Sequence, residues 1–349
     1  MDLPAGTRNY SYAQDMSIFR TRTHWALLIA LLIILFTAPF YLGNYWLGVA
    51  NLIGITIIAA TGLNILTGYC GQLSIGHAGF IAVGAYTSAV LTNRLELPFI
   101  VGLICAGLVA GLVGMLFGIP SLKVKGFYLA ISTIAAQFII IWIINHWSSV
   151  TGGFVGITVP YASIGGLVFK SEGSQFFLIM SITALSIFFA KNLARTRVGR
   201  AFVAIRDNDI AAEAIGINIF YYKLVAFAIC TFFAGIAGAL MNHYLQWVHA
   251  ESFTLLDSVW LIGMVIVGGM GSTVGAIFGV VFLMVLRQLM LIFGAMLEGT
   301  GILIMGGGSG ILQIAFGLVI LLFLIFEPRG LAHRWNVFKG QYRLWPFAY

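Results

Sequence analysis

The chain contains few charged residues. Only 8% of its 349 residues are charged, with 18 Lys and Arg against 11 Asp and Glu, whereas 60% are hydrophobic. A soluble domain carries about 25% charged residues. The composition therefore excludes a soluble globular protein and indicates a chain whose surface lies largely in lipid.

Several kinds of chemistry are excluded by what the chain lacks. Its three cysteines, Cys70, Cys105 and Cys230, lie far apart, so neither a disulfide framework nor a CxxC metal site is indicated. There is no GxxxxGK[ST] motif to hold nucleotide phosphates, no HExxH motif and no metal-spaced His/Asp cluster. We therefore predict no catalytic, cofactor-binding or metal-binding residues, and a membrane-embedded enzyme is disfavoured. If ATP drives this protein, another subunit must bind it.

Long apolar runs fill most of the sequence. Because a membrane helix takes about 20 residues, we predict an all-α polytopic membrane protein with a bundle of about ten transmembrane helices, some broken or re-entrant. The short eighth run suits either a full span or a broken helix. The runs lie at 25–42, 46–66, 74–92, 98–119, 127–147, 174–190, 223–244, 256–270, 272–292 and 310–326.

Acidic residues are missing from the interior of these runs, since all 11 lie at or beyond the ends. An acid at the bilayer centre costs about 2.5–3.5 kcal/mol, so it is placed there only for function. Their absence argues against a carboxylate proton relay. It leaves sodium coupling through backbone carbonyls open.

The basic residues predict the orientation. With an internal amino terminus and ten crossings, only Arg94 and Lys170 fall outside and Arg287 lies near an outer end, which leaves 15 of 18 inside. Because Lys and Arg concentrate in cytoplasmic loops, both termini are predicted to be cytoplasmic. Basic residues spaced between apolar runs do not form a nucleic-acid surface. The predicted parts are a cytoplasmic segment 1–24, a transmembrane domain 25–326 and a cytoplasmic tail 327–349.

Glycine spacing predicts close helix packing, with a hinge or gate as the alternative. Gly107, Gly111, Gly114 and Gly118 follow one face of the fourth run, and Gly275 and Gly279 repeat the pattern in the ninth.

The longest internal loop, 191–222, is too charged to cross the membrane and too apolar for a solvated linker. We expect it to fold and dock. Asp207 or Asp209 is predicted to cap a short helix over 210–215, and Gly216 to end it. The helix would lie either at the lipid surface or against a cytoplasmic partner.

Several stretches resemble one family of transport proteins. In this loop GRA (199–201), AIRDN (204–208) and AAEAIGIN (211–218) are similar to the signature of ABC importer permeases. The closest resemblance is to the LivM-like branched-chain amino acid permease family, and it covers most of the chain beyond residue 45. Four further stretches agree with it, namely GLNILTGYCGQLSIGHAGFIAVGAYTSA (62–89), TGGFVGITVP (151–160), VGGMGSTVGAIFGV (267–280) and FEPRGLA (326–332).

The resemblance implies a coupling helix around Asp209 to Gly216 that docks on an ATP-binding cassette subunit. Glu213 and Gly216 match the glutamate and glycine of the family's loop motif. Arg200 and Arg206 are then candidate contacts to acidic groups on the ATPase, or they fix the orientation beside lipid headgroups. The predicted ATPase-coupling residues are Arg200, Arg206, Asp207, Asp209, Glu213 and Gly216.

Polar residues that interrupt the apolar runs are candidates for the solute pathway. Non-helical backbone at membrane depth survives only where protein or water satisfies it, and the stretch 68–79 has this character. Its polar residues are Gln72, Ser74 and His77, and the fifth run adds Ser132, Thr133 and Gln137. The alternative for His77 is a structural hydrogen bond, and for the fifth run it is polar bonding between helices.

By resemblance, the chain is one transmembrane subunit of an ATP-driven importer in a bacterial inner membrane. The implied partners are two ABC ATPase subunits, a second permease subunit that is a paralogue, and a periplasmic or extracellular solute-binding protein. The implied cargo is leucine, isoleucine, valine or a similar solute, with urea, amides or aromatic acids as alternatives. The rival class is an ion-coupled secondary transporter or channel that works without an ATPase.

Overall fold

The computed structural model describes residues 22–121, 126–299, 307–327 and 329–344, and these are predominantly helical. The predicted all-α polytopic class is confirmed. The α-helices are α1 (Arg22–Thr37), α2 (Asn44–Asn64), α3 (His77–Asn93), α4 (Phe99–Ser121), α5 (Phe127–His146), α6 (Ser148–Thr151), α7 (Glu172–Leu193), α8 (Arg197–Asp207), α9 (Asp209–Ala214), α10 (Ile219–Leu245), α11 (Leu255–Gly268), α12 (Thr273–Gly299), α13 (Gly307–Phe326) and α14 (Leu331–Leu344).

Each of the ten apolar runs coincides with a helix, but the number of crossings stays a prediction. α3 has 17 residues and the opening stretch Trp25–Phe40 is also short. The eighth run belongs to a 19-residue segment in which a 3-10 turn precedes α11. Within the described residues, seven segments are long and apolar enough to span a membrane, namely Asn44–Tyr69, Phe99–Pro120, Tyr128–His146, Glu172–Leu193, Ile219–Leu245, Ala250–Gly268 and Thr273–Gly294.

Short polar sequences set where two of the membrane helices begin. Ser171 caps α7, since its side chain accepts a hydrogen bond from the Ser174 N–H at 3.2 Å. Thr254 and Asp257 form a reciprocal capping box at the start of α11, in which each side chain accepts from the other's backbone N–H. These caps satisfy N–H groups that a helix end leaves open.

The core is centred on α10, which packs against α2, α3 and α4. The contact with α3 is backbone to backbone: a Cβ added to Gly84 would lie 2.3 Å from the Gly235 Cα. Gly235 is equally confined on its other side, where an added Cβ would lie 2.4 Å from the Ala106 carbonyl oxygen of α4. The three helices therefore approach as closely as glycine and alanine permit.

The predicted glycine stripe of α4 lies on this interface. Added Cβ atoms at Gly107 and Gly114 would meet Phe232 and Thr231 of α10 at 2.7 and 2.1 Å, and Gly118 is tight at 3.3 Å. Gly111 has ordinary clearance, with its nearest atom at 3.5 Å. Close helix packing is thus confirmed for this stripe.

The two small antiparallel sheets lie in the links between helices. β1 (Ile157–Thr158) pairs with β4 (Trp247–Val248), which ties the link before α7 to the end of α10. β2 (Ser163–Ile164) and β3 (Leu167–Val168) form a hairpin whose two central residues, Gly165 and Gly166, both have positive φ. That combination is what a two-residue type I′ turn requires.

Of the two predicted cytoplasmic ends, the structure describes only residues 22–24 of the first but most of the second. Residues 1–21 of the predicted segment 1–24 lie outside the described residues, as do Lys123 and Lys125 of the predicted internal loops. The predicted tail 327–349 contains a helix, α14, whose Trp335 ring packs edge-on against Phe278 of α12. This tail therefore docks on the bundle.

Candidate coupling and pathway sites

The loop 191–222 folds, as expected, but it forms two short helices where the sequence predicted one. They are α8 and α9, called here the α8–α9 pair. Thr196 caps α8 by accepting from the Gly199 N–H at 3.3 Å. α8 buries one face, including Phe202, which contacts the Tyr222 ring edge-on. No side chain larger than that of glycine fits at Gly199, because an added Cβ would lie 2.4 Å from the Leu193 carbonyl oxygen.

Asn208, rather than Asp207 or Asp209, caps α9. Its backbone is extended at φ −159°, and its side-chain oxygen accepts from the Ala211 N–H at 3.0 Å. Asp209 is instead the first helical residue, where its charge suits the helix dipole. The expectation that one of the two aspartates supplies the cap was wrong, because Asn208 alone has the extended backbone of a cap residue.

Gly216 ends α9, as predicted. Its φ is +88°, and the N–H groups of Gly216 and Ile217 donate to the carbonyls of Glu213 and Ala212 at 2.9 and 3.0 Å. These two bonds form a Schellman motif, which favours glycine at the left-handed position. The observed helix, Asp209–Ala214, starts and ends one residue before the predicted 210–215.

The outer surface of α9 is apolar at its two ends. Ile210 and Ile215 are 75% and 76% exposed, whereas Ala212 is buried. Asp209, Glu213 and Gly216 line an open surface cavity of about 550 Å³ that the start of α10 also lines. Four of the six predicted coupling residues therefore lie in or next to one exposed helix. Asp209 and Glu213 belong to α9, and Asp207 and Gly216 flank it.

The two predicted arginines differ in their surroundings. Arg200 is exposed, and its Nη1 donates to the Arg195 carbonyl at 3.0 Å. Arg206 pairs with Asp207 at 2.8 Å and also donates from Nη1 to the Gly68 carbonyl at 3.1 Å. Arg206 is therefore engaged inside the chain, which differs from the ATPase contact expected of it; that contact stays a prediction.

The stretch 68–79 is interrupted, as the sequence indicated. A π-helical turn (Ile65–Tyr69) extends α2, and irregular backbone over 70–76, called here the first break, precedes α3. Such turns are frequent at functional sites. The first break lies on α5: the Ile75 N–H donates to the Thr133 Oγ1 at 3.0 Å, and a Cβ on Gly76 would lie 1.9 Å from the Thr133 carbonyl oxygen.

The predicted polar residues of α5 bond to other parts of the bundle. Gln137 Nε2 donates to the Phe253 carbonyl at 3.2 Å, and its Oε1 accepts from the Ser258 hydroxyl at 2.9 Å. That hydroxyl in turn accepts from the Ala78 N–H at 2.8 Å. Gln137 thus makes a helix–helix bond of the kind weighed as its alternative, through Ser258 of α11. Thr133 instead bonds to the first break, and Ser132 is half-buried beside them.

Three predicted pathway residues differ in accessibility. Ser74 and His77 are buried, at 1% and 0% exposure, and Gln72 is half-buried. His77 Nδ1 lies 3.6 Å from the Cys230 Sγ, and its Nε2 has no partner among the described residues. Pathway lining therefore stays a prediction for all three, with Gln72 the most accessible.

Sequence reasoning missed two polar clusters. Asn51 and Tyr244 both donate to Glu172 Oε2, at 3.0 and 3.1 Å, and so join α2, α7 and α10. His243 forms the second cluster: it is buried, and its ring nitrogens lie 3.0 Å from the Ser88 hydroxyl and 2.9 Å from the Pro160 carbonyl oxygen. The only sequence signal for either was a polar residue at the edge of an apolar run.

Within the described ranges, no group of three or more His, Cys, Asp or Glu residues could hold a metal ion.

The fold and these sites define a polytopic helical transport protein with interrupted membrane helices and an exposed short helix in its longest loop. Residues 45–326 match the family described as the permease component of branched-chain amino acid transport systems, and the chain belongs to that family. It is a permease subunit of an ABC importer and a multi-pass protein of the inner membrane.

Curated relatives agree with this assignment. The chain is 34% identical over 328 residues to the high-affinity branched-chain amino acid transport system permease protein LivM of Escherichia coli, covering 87% of this chain and 74% of that protein. It is 27% identical to a probable LivM of Methanocaldococcus jannaschii, covering 80% and 90%. A ribose import permease, RbsC of Haemophilus influenzae, is 26% identical, covering 75% and 82%. No solved structure gives a significant match.

The family fixes the coarse role of the chain. It is a transport subunit, and permeases of ABC importers work with ATPase and solute-binding partners.

Proposed function

We propose that this chain is one of two permease subunits of a binding-protein-dependent importer for branched-chain or similar amino acids. Two separate ABC ATPase subunits bind its cytoplasmic side, a periplasmic binding protein delivers the solute, and a paralogue completes the permease pair. Both termini and the α8–α9 pair are cytoplasmic. ATP is hydrolysed on the partner chains.

The exposed surface of α9 carries this proposal. A six-residue helix that leaves Ile210 and Ile215 about three-quarters exposed is capped at both ends within its own loop. Exposed large apolar side chains that are rimmed by polar residues suit contact with a protein or with a membrane, and we assign these two to a protein contact. A cytoplasmic ATPase that buries both isoleucines is the partner that the family provides.

Acidic and basic groups around α9 give this contact its orientation. Asp209 and Glu213 border the adjoining cavity, and Arg200 is exposed on α8. Asp207 is held by its bond to Arg206. We assign Arg200, Asp209 and Glu213 to the rim of the ATPase contact, where charge fixes register and partner choice rather than most of the affinity.

The cargo rests on the names of the relatives. Two are permeases of branched-chain amino acid systems, while a more distant one serves ribose. We therefore expect the cognate binding protein to bind leucine, isoleucine or valine, and calorimetric titration of that protein tests the assignment. Tight binding of urea, amides or aromatic acids instead would change the cargo but not the class.

Replacing Ile210 with Asp tests the docking surface. The charge would be buried against the ATPase, so we expect co-purified ATPase and solute uptake to fall at least tenfold, as a desolvated charge costs more than about 1.4 kcal/mol. Val155→Asp is the matched control, because Val155 is 78% exposed but lies outside the α8–α9 pair. Equal ATPase recovery from both variants would contradict docking through α9.

Labelling tests the orientation. Asn208 is exposed between α8 and α9, so Asn208→Cys should resist an impermeant thiol reagent added to intact cells and react once the membrane is opened. Reaction from outside would exclude cytoplasmic docking and favour the ion-coupled alternative.

A further inference from the structure

Two interruptions of the membrane helices meet at one place. The first break follows the π-helical turn at the end of α2, and a second break, residues 269–272, separates α11 from α12. The end of α8 reaches the same place through Arg206. We call the four contacting residues Asn64, Gly68, Arg206 and Gly271 the joint.

Asn64 fastens α2 to the second break with both ends of its amide. Its Nδ2 donates to the Ser272 carbonyl at 3.1 Å, and its Oδ1 accepts from the Gly271 N–H at 2.9 Å. Tyr69 adds a bond between its hydroxyl and the Thr273 Oγ1 at 3.1 Å. Asn64 and its two partners are more than 200 residues apart in the chain. The bonds therefore connect the helix pair α2 and α3 to the helix pair α11 and α12.

Gly68, in the π-helical turn just before the first break, brings this turn into backbone contact with the second break. A Cβ on Gly68 would lie 2.2 Å from both the Gly271 nitrogen and the Asn64 Oδ1, so only glycine fits. The Gly68 carbonyl is the acceptor for Arg206 Nη1, and a Cβ on Gly271 would lie 3.0 Å from that same nitrogen. The guanidinium therefore lies against the π-helical turn that leads into the first break and against the second break at once.

Asp207 holds this guanidinium in place. Its Oδ1 accepts from Nε and Nη2 of Arg206 at 2.9 and 2.8 Å, which leaves Nη1 directed at Gly68. Hydrogen bonds from a charged donor are roughly twice as strong as neutral ones. Although its side chain is partly exposed, the arginine thus links the α8–α9 pair to the membrane helices.

We propose that Arg206 is a positioning residue that transmits movement of the α8–α9 pair to both helix breaks through the joint. This rests on the proposed function, in which an ATPase displaces α9. When the guanidinium moves, its hydrogen bond displaces the Gly68 carbonyl and with it the start of the first break. The two bonds of Asn64 displace the second break by the same movement, so the two breaks act as one hinge. Irregular membrane segments paired in this way are where transporters change shape.

The test measures the number of ATP molecules hydrolysed per solute imported by the importer, reconstituted with its ATPase subunits and binding protein. Arg206→Gln removes the charged link but leaves α9 and its exposed isoleucines intact. We expect the complex to assemble normally, ATP hydrolysis to persist, and the ratio of ATP to solute to rise about tenfold, the effect of one charged hydrogen bond. Arg206→Lys keeps the positive charge but lacks the planar guanidinium that bonds to Asp207 and Gly68 together, so it should restore the ratio of ATP to solute only partly. Arg197→Gln, at the exposed start of the same helix, is the matched control.

A second pair of variants reaches the joint without changing charge. Gly68→Ala forces the two breaks apart and should uncouple transport in the same way, whereas Gly43→Ala meets nothing within 4 Å and should not. If Gly68→Ala fails to reach the membrane, hydrogen exchange on the wild-type importer decides instead. The amides around Gly68, Arg206 and Gly271 should change protection together when ATP binds.

The outcomes separate the joint from the proposed function. An unchanged ratio in Arg206→Gln, or ATP-dependent exchange confined to the α8–α9 pair, would overturn the joint while leaving the importer intact. Loss of ATPase subunits from Arg206→Gln would assign Arg206 to the docking surface and also overturn it. A wild-type chain that imports solute without any ATPase would instead refute the proposed function.

Discussion

Adding one methyl group between α3 and α10 should cost a large part of the stability of the bundle. In Gly84→Ala the new Cβ would lie 2.3 Å from the Gly235 Cα and 2.4 Å from its carbonyl oxygen, whereas atoms in ordinary contact are about 3.5–4.0 Å apart. α10 cannot move away, because an added Cβ on Gly235 would already meet the Ala106 carbonyl oxygen at 2.4 Å. The helices must therefore separate by more than about 1 Å on one side or both.

The expected free energy follows from two opposing contributions. Overpacking of this kind costs up to about 3 kcal/mol, while alanine in a helix is favoured over glycine by about 1 kcal/mol. The net loss is about 2 kcal/mol, a change of about 30-fold in the ratio of folded to unfolded protein.

Gly111→Ala provides the matched control for this prediction. The residue lies in α4 and faces the same helix, α10, but its nearest neighbour is 3.5 Å from the added Cβ. Only the preference of alanine over glycine in a helix should therefore affect stability. Unfolding of the purified protein in mixed micelles with increasing SDS, followed by tryptophan fluorescence, measures both variants. Equal unfolding midpoints for Gly84→Ala and Gly111→Ala would refute the reasoning from backbone contact.

Three further predictions concern the α8–α9 pair and the first break. Asn208→Ala should weaken α9 by about 1 kcal/mol and lower uptake, whereas Asn208→Asp, which caps equally well, should not; uptake in vesicles distinguishes them. Gly216→Ala should reduce ATPase recovery through backbone strain alone, since φ is +88° and nothing lies within 4 Å, and Gly216→Asn should be milder. With Cys70 removed, Gln72→Cys should react with a hydrophilic thiol reagent and Ser74→Cys should not, because their exposures differ; equal labelling would contradict the packing of the first break.

The membrane helices and the end of α9 could be predicted because their signals are local. Apolar runs of about 20 residues have few alternatives to a helix in lipid, and Gly216 follows a short alanine-rich stretch where a left-handed residue would end it. The glycine stripe of α4 was predicted for the same reason, since one helix face determines its spacing.

The cap of α9 and the partner of Arg206 could not be predicted, for different physical reasons. Asp207, Asn208 and Asp209 are three consecutive residues that all favour the cap position, and only the backbone conformation selects one. Arg206 bonds to Gly68, 138 residues away, so its partner depends on the packing of the whole bundle. A charge in a loop indicates which side of the membrane it occupies, but not which carbonyl it binds.

The hairpin of β2 and β3 gives the chain a place where it tolerates extra length. Added Cβ atoms on Gly165 and Gly166 would meet nothing within 4 Å, and the exposed strand β3 returns the chain toward α7. Exposed tips of this kind accept insertions because no buried backbone bond is lost. An epitope or fluorophore placed between these glycines would label the predicted outer face of the importer without touching its helices, and single complexes could then be followed in the membrane of living cells.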